Sequence, residues 1–271
     1  MSVLSIVVMI LIIVLLVIIW KYVLSDPFTL QSMQNGQTAS TIAASTLATN
    51  GTDVPSSNFA YSIWFYINDW NYRYGEPKVI FGRMGAKSTT GSGSVSGING
   101  LEPCPAVVLG AVENNVSVSL SCYPGANQEP IPPTTSSTTS TSSTTTTSSS
   151  TPTNTVLHTC NVTNIPIQTW VNLTLSVYGR SMDLYIDGKL VRTCLLPGVA
   201  SVNNNSNVYV TPAGGFDGWT SKFQYFPNSI NPQEAWNIYS KGYGSWSSML
   251  SSYQLQIALI ENGQTQSSVT I

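Results

Sequence analysis

Charge is what this chain has least of. Lys, Arg, Asp and Glu make up 8% of its 271 residues, and the formal net charge is -2. No basic patch or stripe is visible, so the electrostatic footprint of nucleic-acid binding is missing. Histidine occurs once, as His158, beside a Ser/Thr tract and with no neighbouring acid. A Ser-His-Asp triad has no base to use here. Cysteine occurs four times, at Cys104, Cys122, Cys160 and Cys194, and never in a CxxC spacing. With a single histidine, that argues against a zinc site.

What the chain does have begins at its N-terminus. Val3 to Leu24 is apolar apart from Ser5, Lys21 and Tyr22. At about 1.5 Å per residue the run spans roughly 33 Å, enough for a bilayer core of about 30 Å. A cleaved signal peptide is the competing reading. The run has no basic leader and no small-x-small cleavage site, and it is too long for a signal core. Trp20 and Tyr22 fall where an interfacial aromatic belt would sit, and Lys21 can snorkel. Residues 1–25 are therefore expected to be a single transmembrane anchor in a lipid bilayer. Met1 and Ser2 alone precede it, which would leave the remaining mass on its C-terminal side. The charges beside it do not orient it.

Ser and Thr form about a quarter of the chain. Residues 134–153 are almost purely these two, and such a tract cannot bury apolar surface. Elsewhere the pattern is that of strands. Phe59–Ile67 is an unbroken run rich in aromatic and β-branched residues. Thr41–Leu47, Lys78–Arg83, Ala106–Val112 and Val116–Cys122 read as further strands, the last two joined about Asn114-Asn115. Strand signals resume at Val156. From Trp170 to Val177, Val171, Leu173, Leu175 and Val177 share one face and Asn172, Thr174 and Ser176 the other. Met182, Leu184 and Ile186 repeat the pattern. Asp187-Gly188 then fits a two-residue type I′ turn. That turn predicts Asp183 opposite Arg192 and Leu184 opposite Val191. Asn231-Pro232-Gln233-Glu234 carries a cap, a first-turn proline and a capping-box acid. Ala235, Ile238 and Tyr239 share the inner face of that short helix, and Gly242 stops it. Trp246–Tyr253 suggests another helical turn, and Gln254–Ile260 with Ser267–Ile271 a final hairpin.

These residues resemble the laminin-G-like, concanavalin A-like jelly roll. The correspondences are Trp170 leading a strand, the Asp187-Gly188 hairpin, Phe216-Asp217-Gly218, and the helix from Pro232 to Tyr239. Asn58–Arg83, Asn164–Trp170 and Gly188–Val199 resemble, more narrowly, the membrane-anchored members found in large DNA viruses of protists and algae. One departure is Thr220, where the family usually has an aliphatic residue. The resemblance runs from about Thr41 to the C-terminus and crosses the Ser/Thr tract. The expected fold is thus all-β: a jelly-roll β-sandwich with one short helix over residues 26–271, interrupted by a loop at 134–153 and preceded by the anchor.

Some relatives of that fold are glycosidases, which place two carboxylates across a sugar bond. Their Glu-x-Asp-x-x-Glu strand is absent here. Asp183 and Asp187 share a face, but register and turn explain both. No enzyme activity and no cofactor are expected. Calcium is the one ion the resemblance suggests, with Asp69 and Asp217 as candidate ligands; both also suit turns.

The candidate binding loop is Asn68–Glu76, with Asp69, Trp70, Asn71, Tyr72, Arg73 and Tyr74. Aromatic faces beside planar polar groups suit sugar rings or a protein partner. The same aromatics could instead pack over an open edge of the sandwich. An even number of cysteines beyond an anchor suggests two disulfides, against the alternative of four buried thiols. Three pairings are open. Cys160–Cys194 is preferred because both flank the hairpins of the resemblance, leaving Cys104–Cys122 for the earlier hairpin. Asn-x-Ser/Thr triplets at Asn50, Asn115, Asn161, Asn172 and Asn204 are no more than this composition produces by chance. The resemblance implies a virion structural protein in the viral inner membrane, or otherwise a single-pass host membrane protein, contacting capsid or other virion proteins. A lectin-like module that binds glycans is the alternative. A glycosidase is a weaker third.

Overall fold

The computed structural model of the chain describes residues 10–15, 28–47, 57–84, 102–124, 155–244, 256–261 and 264–270. The chain divides into two units, Leu30–Tyr243 and Met1–Thr29 with Gly244–Ile271. In the larger unit, two sheets enclose one core. One sheet comprises β1 (Thr29–Gln31), β2 (Gln34–Asn35), β4 (Phe59–Asp69), β9 (Trp170–Tyr178), β10 (Ser181–Ile186), β11 (Lys189–Leu195) and β13 (Asp217–Phe226). Its order is β1-β13-β4-β9-β10-β11, with β2 also paired to β13. The other comprises β3 (Ser40–Ile42), β5 (Lys78–Arg83), β6 (Ala106–Leu109), β7 (Asn115–Cys122), β8 (Val156–Thr163) and β12 (Val208–Val210), in the order β3-β12-β5-β6-β7-β8.

Alternation builds the core. From β4, Phe59, Tyr61, Ile63, Phe65 and Ile67 point inward, and from β9, Val171, Leu173, Leu175 and Val177. They meet Phe81, Val107, Leu109, Val118, Leu120 and Val208 from the facing sheet. Tyr61 and Phe223 of one sheet pack on Phe81 of the other, with ring centroids 5.4 and 4.8 Å apart. Each such large side chain contributes roughly 1.5–3 kcal/mol relative to exposure. Thr220 is buried on the same face, and its hydroxyl has no hydrogen-bond partner among the described residues. The departure from an aliphatic residue there therefore carries a desolvation cost.

Several expected elements change in detail. The strand expected at Thr41–Leu47 ends at Ile42, and Ala44–Thr46 form a 3-10 turn. The Ala44 amide donates to the Asn207 side chain at 3.0 Å, which draws the chain out of the sheet. The strand expected to reach Val112 stops at Leu109, because the Ala111 carbonyl accepts from Gly75 instead of a ladder partner. The turn to β7 then runs through 110–114, and neither Asn114 nor Asn115 takes a positive φ. β7 and β8 are antiparallel neighbours, Cys122 facing Val156. The Ser/Thr tract between them lies outside the described residues.

At the Asp187-Gly188 turn both residues have positive φ, 50° and 72°. A side chain at 188 would press on Trp236, so glycine serves both the turn and the helix above it. The expected register holds for Ile186–Lys189 and Tyr185–Leu190 and then slips through a bulge. Leu184 therefore faces Arg192, and Asp183 faces Thr193. The expected Asp183–Arg192 pair is replaced: Thr193 Oγ1 donates to Asp183 at 2.6 Å, and Arg192 Nη1 donates to the Asn161 carbonyl at 2.6 Å. One extra residue on the bulged strand is enough to do this.

Helix α1 (Pro232–Ser240) starts with a complete capping box, Glu234 N–H on Asn231 Oδ1 at 2.9 Å and Asn231 N–H on Glu234 Oε2 at 2.7 Å. Ala235 and Ile238 are its buried residues, and Tyr239 stacks on Trp64 with centroids 5.5 Å apart. The helix thus lies on the outer face of the seven-stranded sheet. Below it, Asn172 Nδ2 donates to Ser62 Oγ at 3.0 Å, and Thr174 Oγ1 lies 2.9 Å from Ser62 Oγ and 3.0 Å from Asn172 Oδ1.

In the smaller unit, β14 (Gln256–Glu261) and β15 (Gln264–Thr270) form the expected final hairpin. Residues 10–15 are helical, and all six are exposed, from 47% at Val14 to 62% at Leu11. Among the described residues no helix is long and apolar enough to cross a membrane. Most of the expected span, Val3–Leu24, lies outside the described residues, as does the helical turn expected at Trp246–Tyr253.

Candidate functional site

The loop singled out in the sequence leaves the end of β4. Asn71 directs its main-chain and side-chain N–H groups to Asp69 Oδ1, at 2.8 and 3.1 Å. Trp70 turns inward, packs against the core and donates from Nε1 to the Val112 carbonyl at 3.3 Å. Lys78 Nζ stands 5.0 Å from the centre of its ring. That ammonium is buried and has no hydrogen-bond partner among the described residues. Burial lowers its pKa; the Arg73 charge adds to this and Glu76 opposes it. Tyr72 donates its hydroxyl to the Gly214 carbonyl at 3.1 Å. Arg73 pairs with Glu76 at 2.7 Å and donates to the Ala213 carbonyl. Tyr74 projects, 59% exposed. Trp70, Tyr72 and Arg73 thus tie loops together at one end of the sandwich, and Tyr74 is the aromatic left facing outward.

Asp69 and Asp217 face each other across β4 and β13. Both Asp217 oxygens accept from amides, Asn68 Nδ2 at 2.8 Å and Gln37 Nε2 at 3.1 Å. Calcium wants six to eight oxygens. The side chains around this pair present N–H groups, and no cluster of three metal-binding side chains occurs among the described residues.

Cys160 and Cys194 form a disulfide with Cα atoms 6.4 Å apart, tying β8 to β11 across the side of the sandwich. The bridge expected between Cys104 and Cys122 is not formed; both are buried free thiols. Burial raises the pKa of each, pushing Cys122 up to about 11. Neither is a ready nucleophile at neutral pH. Asp187 Oδ1 accepts from the Asn172 amide at 2.8 Å, and the Asp187 amide donates to the Asn172 carbonyl at 2.9 Å. Burial raises the Asp187 pKa against the lowering effect of that hydrogen bond and of Lys189. This carboxylate is a clamp between two strands. His158 pairs with Leu120 in the middle of β8. Among the glycosylation triplets, Asn172 is fully buried beneath α1.

A cavity of about 250 Å3 opens beside the disulfide, lined by Val162, Ile165, Ile186 and Val191 with Asn161 and Arg192 at its polar side. The Arg192–Asn161 hydrogen bond bridges it.

A second group of aromatics comes together on the sheet, of which the sequence pattern singles out Trp170 only as the head of a strand. Trp219 faces Tyr66, which faces Trp170, so one aromatic row crosses β13, β4 and β9. All three lie on the phase opposite the core residues, on the outer face. Trp219 is 45% exposed, Tyr66 and Trp170 are half-buried, and Tyr243 stacks flat on Trp170 with centroids 4.4 Å apart. Alternation within each strand marks these residues as outward. Their alignment depends on pairing between strands far apart in the chain.

No family model matches the chain, and no curated protein matches it either. Solved structures similar to it include the receptor-binding domain of the botulinum neurotoxin C/D mosaic serotype, at 12% identity and TM-score 0.47, over 78% of this chain and 43% of that one. The binding domain of botulinum neurotoxin DC in complex with rat synaptotagmin II is similar at 14% identity and TM-score 0.45, over 75% and 40%. The same binding domain in complex with SialylT gives 12% and 0.45, over 78% and 41%. This chain therefore spans less than half the length of those proteins.

Proposed function

We propose that this chain is a non-catalytic, membrane-tethered structural protein of a virion, with a laminin-G-like jelly roll that makes protein contacts with the capsid or its neighbours. The observation that carries the protein-contact reading is strand β11. It is the last strand of the seven-stranded sheet, and Leu190, Val191 and Leu195 on it are 50%, 47% and 73% exposed. Trp236, 45% exposed, lies against the turn that precedes it. An uncovered apolar edge strand is an aggregation hazard in a free protein and an asset at an interface. The tether reading rests on the apolar Val3–Leu24 run and the exposed apolar helix at 10–15. Residues 26–271 then act as one displayed domain, with 134–153 as a loop within it.

The test uses purified virions. Carbonate extraction should leave the chain in the membrane fraction, and cross-linking should join β11 to another virion protein. Val191→Lys with Leu195→Lys should abolish the cross-link without unfolding the sandwich. Absence of the chain from washed virions would end the virion reading. An unchanged cross-link in the double variant would end the β11 reading.

A second reading, a glycan-binding attachment module, is favoured by Tyr74 exposed beside the Asp69 and Asn71 polar groups. Glycan-array binding that drops with Tyr74→Ala would support the loop as its site. Trp70→Ala is a poor probe, since Trp70 packs against the core.

A further inference from the structure

We infer that the aromatic row Trp219–Tyr66–Trp170 is a platform for a neutral carbohydrate chain, distinct from the exposed Tyr74 of the Asn68–Glu76 loop and sharing only Asn68 with that loop. The inference rests on the glycan-binding reading and moves its site to the sheet face. Residues that face each other in antiparallel register point to one side of the sheet, so the three rings share a surface. Strand spacing sets them over roughly 10 Å from β13 to β9; Tyr243 occupies the face of Trp170, so a pyranose would stack on Trp219 and Tyr66 with Trp170 behind them. Pyranoses stack their C–H faces on such rings and need planar hydrogen-bonding groups at the rim.

That rim is present. Asn35 faces Trp219 from β2 and extends the row. Asn68 follows Tyr66 by two residues on β4, and its amide is joined to Asp217, which also accepts from Gln37. These are amides and one carboxylate, with no cation among them. The nearest ammonium on β13, that of Lys222, is bonded to the Lys241 and Gly242 carbonyls at the end of α1. Among the described residues, the rim named here offers a sulfated or sialylated chain only one charge, the Asp217 carboxylate, which is why the occupant is neutral. Gly218 completes the shape. Its φ is +153°, and any side chain there would strike the Tyr66 carbonyl, so glycine lets β13 bring Trp219 up beside Tyr66.

The packing role of these rings does not account for Trp219. Trp170 is covered by Tyr243 and tilted against Tyr66 at 5.8 Å, which a purely structural cluster would also show. Trp219 stands at the outer end of the row with almost half its surface free. A large apolar ring left open in line with two others is what a stacking surface requires.

Affinity electrophoresis of the full chain tests this, in a zwitterionic detergent so that no detergent sugar competes. The gels contain β-1,3-glucan, β-1,4-xylan or α-mannan, with a sulfated polysaccharide alongside. At least one neutral polymer should retard the wild type. Trp219→Ala should weaken that retardation by about tenfold, Trp219→Phe should restore much of it, and Tyr74→Ala should leave it intact. Retardation that survives both Trp219→Ala and Tyr66→Ala overturns the platform. Retardation lost in Tyr74→Ala but kept in Trp219→Ala overturns the platform while sparing the glycan reading. Free migration of the wild type in all three neutral gels overturns both. Retardation by the sulfated polymer alone overturns the neutral-ligand assignment.

Discussion

Under helix α1, the outer face of the seven-stranded sheet carries Ser62, Asn172, Thr174 and Ser176, all buried. Toward the loop end the same strands carry Tyr66 and Trp170, half-exposed, with Trp219 beside them. The two halves share strands, twist and alternation. What differs is the cover. The small polar side chains leave room for the helix and bond to one another, and Ser176 also binds the Ile230 main chain at 2.9 and 3.1 Å. The large rings stand above the sheet and leave a ledge. One half is closed by the chain's own helix; the other is covered only in part, by Tyr243 on Trp170, and leaves Trp219 45% exposed. Outward-facing residues on a strand are not a single class; size and hydrogen-bonding capacity decide which kind of partner fits.

Substitutions in the two halves should behave differently. The largest effect is expected from Ala235→Glu, which forces a charge into the fully buried contact of α1 with the sheet. It should cost about 3 kcal/mol or more in a urea titration, and it should make residues under the helix exchange amide hydrogens. Stability within 1 kcal/mol of wild type would mean that the helix does not seal that half. Thr174→Val keeps the shape but removes the hydroxyl that Ser62 and Asn172 share. Buried partners left without a bond predict a loss of about 1–3 kcal/mol; a neutral result would mean that the polar network is incidental.

A smaller effect is expected at the border of the closed half. The folded state holds the Asp187 proton more tightly than the unfolded chain does, since burial raises its pKa above the ordinary value of an aspartate. Its contribution is complete below the ordinary carboxylate range and is lost as pH rises through the raised value. Asp187→Asn keeps an acceptor for the Asn172 amide. Relative to wild type it should therefore gain stability as pH rises from below the ordinary carboxylate range to neutrality, by under about 1 kcal/mol. A gain in the opposite direction would show that the hydrogen bond outweighs burial. The smallest stability effect belongs to the open half. Trp219→Ala should shift unfolding by no more than about 0.5 kcal/mol while weakening polysaccharide retention by about tenfold. A loss above 2 kcal/mol would make Trp219 a packing residue, and the two halves would no longer differ in kind.

Much of the fold could be read before any coordinates. Lys78–Arg83 has the same bounds as a predicted strand and as β5. The Asn231 capping box and the Asp187-Gly188 turn also formed as read. The cap and the turn rest on interactions within a few residues, and the Val79-Ile80-Phe81 run of the strand is a local signal although its partners, β6 and β12, are distant. The fold departs from the sequence pattern where pairing register and loop contacts decide. The ladder past Asp187-Gly188 slipped at a bulge, and the sequence carries no glycine or proline to mark it. The Ala106–Val112 strand was cut short by a loop more than thirty residues upstream. Of the candidate loop, the sequence left open whether its aromatics face outward or pack over the edge of the sandwich, because the acceptors of Trp70, Tyr72 and Arg73, which are Val112, Gly214 and Ala213, are distant in sequence.

The cysteines mark the same division. Sequence alone raised the possibility of pairing, and family resemblance favoured Cys160 with Cys194. Only folding brought β8 and β11 to the same side of the sandwich so that the bridge could form, and left Cys104 and Cys122 as separate buried thiols. By itself, the sequence determined the apolar N-terminal run, the strand alternation, the capped helix and the shortage of catalytic groups, because composition and short-range periodicity carry these. Tertiary structure decided the bulged register, the inward turn of Trp70, and the alignment of Trp219, Tyr66 and Trp170. The register is set by pairing within one hairpin, the turn of Trp70 by a hydrogen bond to a carbonyl 42 residues away, and the aromatic row by pairing between strands more than a hundred residues apart.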